Sequence, residues 1–201
     1  QSANRPMTWL LSPMLVATLA LSACGGGSDA GPAQGSPGAG RDAHAVALRA
    51  ALQTTPAQDL SAVEAKGLIT MREEEQLAQS VYNASAQRWP GVAAFANIAQ
   101  SEAMHTAAIK TLLDRYALPD PLAGQAADTF PTPEFQALYA QLAGTSALSL
   151  VDALKVGVLI EEMDIADLAA HLAATDNADI ALVYGKLMRG SRNHLRAYMS
   201  T

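Results

Sequence analysis

One spacing occurs twice in this chain and restricts what it can fold into. Phe95-x-x-Ile98-x-x-x-Glu102-x-x-His105 recurs as Tyr184-x-x-Leu187-x-x-x-Ser191-x-x-His194, with one glutamate exchanged for serine. Steps of three and four residues trace a single face of an α-helix. Each run begins apolar and turns polar at its last two positions. A carboxylate or imidazole on a core-facing stripe needs a partner, because burying it alone costs several kcal/mol (about the effective penalty for a desolvated ion).

Composition agrees with helices. Of 201 residues, 50% are hydrophobic but only 5% aromatic. That mix suits an all-α chain better than a β sandwich, and runs of strand length with alternating polarity are absent. The length allows one domain with a real core. A net charge of −6 argues against nucleic acid as a partner, since that needs a basic face.

The N-terminus reads differently. Arg5 precedes an apolar run from Trp9 to Ala23, which is too short to span a membrane comfortably. Small residues then lead into Cys24, so residues 1–23 read as an export signal. Leu21-Ser22-Ala23-Cys24 resembles the lipobox of bacterial lipoproteins, which implies cleavage before Cys24 and lipidation of its sulfur. An ordinary secretory signal with an incidental cysteine is the alternative. As the sole cysteine, Cys24 excludes an intramolecular disulfide or a cysteine metal cage. Residues 24–41 are rich in Gly, Ser, Pro and Ala and read as a flexible tether reaching roughly 25 Å. The expected setting is therefore a bacterial cell envelope, with an exported lipoprotein facing the periplasm or cell exterior and held to the membrane through Cys24.

Residues 42–58 form a lead-in segment, with a short helix over 42–53 ended by Thr54-Thr55-Pro56. Residues 59–201 carry four stronger helices, expected over 61–89, 92–117, 149–175 and from 177 to near the C-terminus. Pro90-Gly91 and Pro119 punctuate the first two. A Pro- and Gly-rich connection with a short helix over 133–143 separates the pairs. Short links within each pair imply antiparallel neighbours, and the long crossover implies the ferritin-like arrangement of an antiparallel four-helix bundle.

All four seams share one design. The first reads Leu68, Met71, Glu75, Ala78, Tyr82; the second Phe95, Ile98, Glu102, His105, Ile109, Leu112, Tyr116. The third reads Leu150, Leu154, Gly157, Glu161, Asp164, Leu168; the fourth Ile180, Tyr184, Leu187, Ser191, His194, Tyr198. Four polar middles imply one buried polar layer. Carboxylates and imidazoles gathered there would repel unless a divalent cation joined them. The i, i+3 pair Glu102 and His105 is placed to share such an ion.

The motifs resemble those of the ferritin-like di-metal carboxylate proteins, especially the rubrerythrin-like ones. Glu75-x-x-Ala78-x-x-x-Tyr82 is similar to their first-helix motif, residues 95–105 to the second, and Glu161-x-x-Asp164 to the third. Residues 184–194 keep the fourth-helix frame, with Ser191 where that family has glutamate. The strings MREEEQLAQSVY, FANIAQSEAMH, GVLIEEMDIADL and RGSRNHLRAY more closely resemble a bacterial ferritin-like domain family of unknown function, over about residues 60–199.

The resemblance implies metal ligands at Glu75, Glu102, His105, Glu161, Asp164 and His194, with Tyr82, Tyr184 and Ser191 behind them. Glu75 is preferred to Glu74 because it alone keeps register with Ala78 and Tyr82. Glu161 is preferred to Glu162 because it aligns with Gly157 and Leu168. Asp164 reads equally well as a surface aspartate, and His194 also as a hydrogen-bonded core histidine. His171 and His44 lack a supporting frame. Asp164 could restore the carboxylate that Ser191 omits; otherwise the site holds a single ion.

Ligand hardness puts iron or manganese first, one or two ions, with zinc after them. The function expected is a tethered di-metal oxidase or peroxidase-type redox centre acting on a small oxidant such as dioxygen or peroxide. The alternative is a non-catalytic lipoprotein with a degenerate metal site, serving as an interaction or envelope-stress module.

Overall fold

The computed structural model describes residues 37–201, with side chains from residue 46 onward. The signal segment, Cys24, most of the tether and the side chain of His44 lie outside the described residues. Six helices and no strands occur among those described: α1 (Pro37–Thr54), α2 (Ala62–Arg88), α3 (Ala93–Arg115), α4 (Pro133–Ser146), α5 (Leu150–Ala174) and α6 (Ala178–Met199). None is long and apolar enough to cross a membrane.

Local chemistry sets the ends. Ser61 caps α2 in a reciprocal capping box: its hydroxyl accepts from the Glu64 amide at 3.2 Å, and Glu64 accepts from the Ser61 amide at 2.9 Å. The other Glu64 oxygen accepts from Thr175 Oγ1 at 2.6 Å, tying the start of α2 to the end of α5. Ser149 caps α5 through the Asp152 amide. After α3 the chain reverses at Ala117, whose φ of 52° is left-handed, while the Leu118 amide donates to the Leu113 carbonyl at 2.9 Å. α1 begins at Pro37, inside the span expected as tether; proline at a first helical position has its φ already set for a helix.

α2 packs chiefly on α3 and α5 chiefly on α6; the two pairs meet through α2 against α5 and α3 against α6. α4 rests on α2 and α5, and α1 leans on α3. The crossover between α3 and α4 is fastened along the flank of α2. Arg72 grips Asp120 with two bonds of 3.0 and 3.1 Å, and Glu73 accepts from the Thr132 amide and hydroxyl. Gln76 and Ser80 donate to the Ala127 carbonyl.

Two apolar clusters fill the interior. One gathers Leu68, Met71, Ile109, Leu112, Ile180 and Leu187; the other gathers Leu77, Val81, Phe95, Ile98, Val156 and Tyr198. The seams of α2, α3 and α6 are buried as expected, except that Tyr116 lies just past the end of α3 and is half-buried. On α5, Leu150 and Leu154 are only half-buried, and Ala153, Val156 and Ile160 are buried instead. That helix meets α2, α4 and α6 at once, so it buries a broader face than one seam.

Candidate metal centre

Between the two clusters lies a layer of ionisable side chains drawn from four helices. Glu75 and Glu161 are 1% exposed, Glu102 2%, Asp164 5%, His194 7% and His105 8%. α2 contributes Glu75, α3 Glu102 and His105, α5 Glu161 and Asp164, and α6 His194.

Glu102 is the centre of the arrangement. Its Oε2 lies 2.8 Å from His105 Nδ1, and its Oε1 lies 2.7 Å from His194 Nδ1. Glu75 Oε2 is 3.2 Å from His105 Nδ1, and Glu161 Oε2 is 3.5 Å from His194 Nδ1. Two three-residue groups therefore share one carboxylate: Glu75, Glu102, His105 and Glu102, Glu161, His194. Within each, one ligand atom per residue lies within 4.8 Å of the others. The imidazoles stack, ring centres 5.4 Å apart.

The His105–Glu75 contact is a hydrogen bond, but the approach of His194 to Glu102 is not aligned as one. His194 Nδ1 has no hydrogen-bond partner despite its proximity to Glu102, and Glu75 Oε1 and Asp164 Oδ1 are likewise buried without one. Donor atoms gathered closely, with lone pairs not satisfied by one another, suit a cation between them. Oxygen and nitrogen donors of this kind fit iron, manganese or zinc.

Electrostatics of the bare protein agree. Burial pushes Glu75 up to about 8, with His105 pulling the other way and Glu102 adding to the rise. Burial also lifts Glu161 to about 7, against the pull of His194. Asp164 is raised by burial and by the charges of Glu75 and Glu102. Burial opposes ionisation of Glu102 too, but the two imidazoles outweigh it and hold that carboxyl below its usual range. Burial disfavours the imidazolium forms; nevertheless Glu102 and Glu75 raise His105, and Glu102 and Glu161 carry His194 up to about 9. Several sites hold protons near neutrality that a divalent cation would displace.

The surrounding residues differ in what they do. The Tyr82 hydroxyl donates to Glu161 Oε1 at 2.8 Å, and Ser101 Oγ lies 2.8 Å from His194 Nε2. The Ser191 hydroxyl lies within hydrogen-bond reach of both Asp164 Oδ2 and the Leu187 carbonyl, so α6 supplies a hydroxyl beside the second α5 carboxylate. Asp164 itself lies outside both three-residue groups. Tyr184 is buried with its ring beside His171, and its hydroxyl has no hydrogen-bond partner.

Three residues escape a reading by seams. Glu74 is buried beside Asp164 and Asp167. Ser101 precedes Glu102 and bonds the outer nitrogen of His194. Gly190 is the third: a Cβ there would come within 2.5 Å of His105 Nε2. The sequence alone does not single Gly190 out, because Gly185 on the same helix has open space where a Cβ would sit.

The chain is 47% identical over 148 residues to an uncharacterized protein of Methanocaldococcus jannaschii (MJ0754), spanning 74% of this chain and 80% of that one. The crystal structure of that hypothetical protein superposes with a TM-score of 0.70 at 48% identity, covering 72% of this chain and 82% of the other. Because that relative is archaeal, kinship with it does not fix a bacterial source. Residues 64–201 match the family model described as an uncharacterized protein domain, and the chain belongs to that family, DUF2202.

Proposed function

We propose that this chain is a metal-binding protein whose buried layer holds one or two ions, iron or manganese before zinc, in a four-helix bundle of ferritin-like type. One observation carries the reading: two buried ligand groups meet at the two oxygens of Glu102. Glu75 and His105 would hold an ion on one side, and Glu161 and His194 on the other. Such an ion, once bound, would supply redox chemistry toward dioxygen or peroxide.

The protein's own groups prepare the site. Glu102 stays ionised between the imidazoles. Tyr82 holds Glu161 in place by donating its hydroxyl proton, which leaves the opposite carboxylate oxygen facing His194. Apolar clusters flank the layer on either side. The Arg5-to-Cys24 pattern supports export and tethering at a membrane, so the centre would act outside the cytoplasm.

Ser191 favours a second reading. It occupies the α6 seam position that would otherwise carry a carboxylate, and it engages Asp164. A site reduced in this way could serve a non-catalytic lipoprotein with a single ion or none.

Elemental analysis of protein purified without added metal separates the two. The first reading expects near-stoichiometric iron or manganese, reduced to background in Glu102→Ala, and turnover of peroxide or dioxygen by the loaded protein. Metal-free protein that gains no thermal stability when iron, manganese or zinc is added would reject it.

A further inference from the structure

A cavity of about 400 Å³ opens between α3 and α6, with Leu48 of α1 at its side. Its inner wall is the outer edge of His105, whose Nδ1 faces Glu75 and Glu102. The ring fits there only because residue 190 is glycine. Ser101, which bonds His194, also lines the cavity. The space thus borders the His105 imidazole on the side away from the carboxylates and reaches His194 only through Ser101.

The wall has a definite charge. Lys186 and Arg189 line it and no carboxylate does, in a chain of net charge −6. Among the described residues neither cation joins an ion pair. Arg189 is exposed and Lys186 half-buried, which sets the positive charge toward the mouth. Met104, Val183 and Leu187 supply apolar wall beyond it. The volume lies within the usual range for small-molecule pockets, which combine apolar lining with a few polar groups that orient the ligand.

We propose that this cavity binds a small organic carboxylate, its head held by Lys186 and Arg189 and its aliphatic body lying along the apolar wall toward His105. The binding requires no metal. Its use, as the substrate pocket of the centre, rests on the metal-binding reading above.

The test uses the full chain, metal-free and metal-loaded, titrated calorimetrically with hexanoate, hexan-1-ol and acetate. Hexanoate should bind at least about tenfold more tightly than either, as expected when both a charge-assisted contact and apolar burial contribute. The Lys186→Gln/Arg189→Gln variant should lose about tenfold or more for hexanoate at unchanged thermal stability. The His105 ring resonances should shift on hexanoate binding in the wild-type protein. Equal affinity for hexanoate and hexan-1-ol, an unaffected double variant, or unmoved His105 signals would each overturn the proposal. Hexanoate binding to protein that takes up no metal would leave this site standing while the metal-binding reading fell; metal-loaded protein blind to hexanoate would do the reverse.

Discussion

Glu161 and His194 are each held from behind, by Tyr82 and by Ser101, whereas Glu75 and His105 lean only on each other and on Glu102. Glu75 keeps one oxygen without a partner, and the back of His105 faces a cavity instead of a hydrogen bond. The two corners use the same residue types and share one carboxylate, so the difference lies in their surroundings. A braced ligand loses less freedom on binding an ion and keeps its tautomer and orientation. On this comparison the Glu161 corner would hold an ion more tightly, and the Glu75 corner would be where ions and ligands exchange.

Acidity offers the largest contrast to break. In the metal-free protein Glu161 should give up its proton near 7 and Glu75 near 8. Both values lie above the unfolded value, so their contribution to stability is complete below about 4.5 and is lost as pH rises through the folded values. His194 acts in the same direction, contributing fully below about 6.5 and losing that contribution as pH passes about 9. Glu102 opposes them, its contribution being present above about 4.5 and lost at lower pH. Thermal melts of metal-free protein should therefore fall by several degrees or more between about pH 5 and pH 9, and bound metal should flatten the decline. A melting temperature that rises across this range would refute the assignment of protonated carboxyls.

Gly190→Ala strikes one corner. The added methyl must displace His105, so the Glu75 side should lose its ion, with metal affinity there falling at least about a hundredfold while the Glu161 side keeps its own. Competition with a chelator resolves the two classes. Equal loss from both would mean that the corners are not independent.

Tyr82→Phe removes one brace. It should weaken the Glu161 corner about tenfold and leave the other unchanged, reversing the order of affinities only if bracing sets that order. Smaller still is Ala117→Gly, which relieves a left-handed alanine far from the layer. It should raise stability by up to about 1 kcal/mol in denaturant melts without changing metal uptake.

Helix periodicity and the Pro and Gly breaks made five of the six helices legible to within a few residues. The register of Glu75, Glu102, His105, Glu161 and His194 was legible for the same reason: local spacing fixes which face each residue occupies. Glu162 is exposed beside buried Glu161, as that register requires. The run Glu73–Glu74–Glu75 was less readable. A charge run on one helix suggests a solvated face, yet all three glutamates are buried. The crossover lays Thr132 over Glu73, and α5 brings Asp167 beside Glu74, contacts that no pattern within α2 encodes. The pairing of Ser191 with Asp164 was hidden likewise, because it joins positions on two helices.

Diffraction data collected on metal-soaked crystals at the absorption edge of the added ion address the central claim most directly. Two anomalous peaks flanking the Glu102 carboxylate, the stronger on the Glu161–His194 side, are the predicted result. An empty layer, or ions bound only at surface carboxylates, would contradict it.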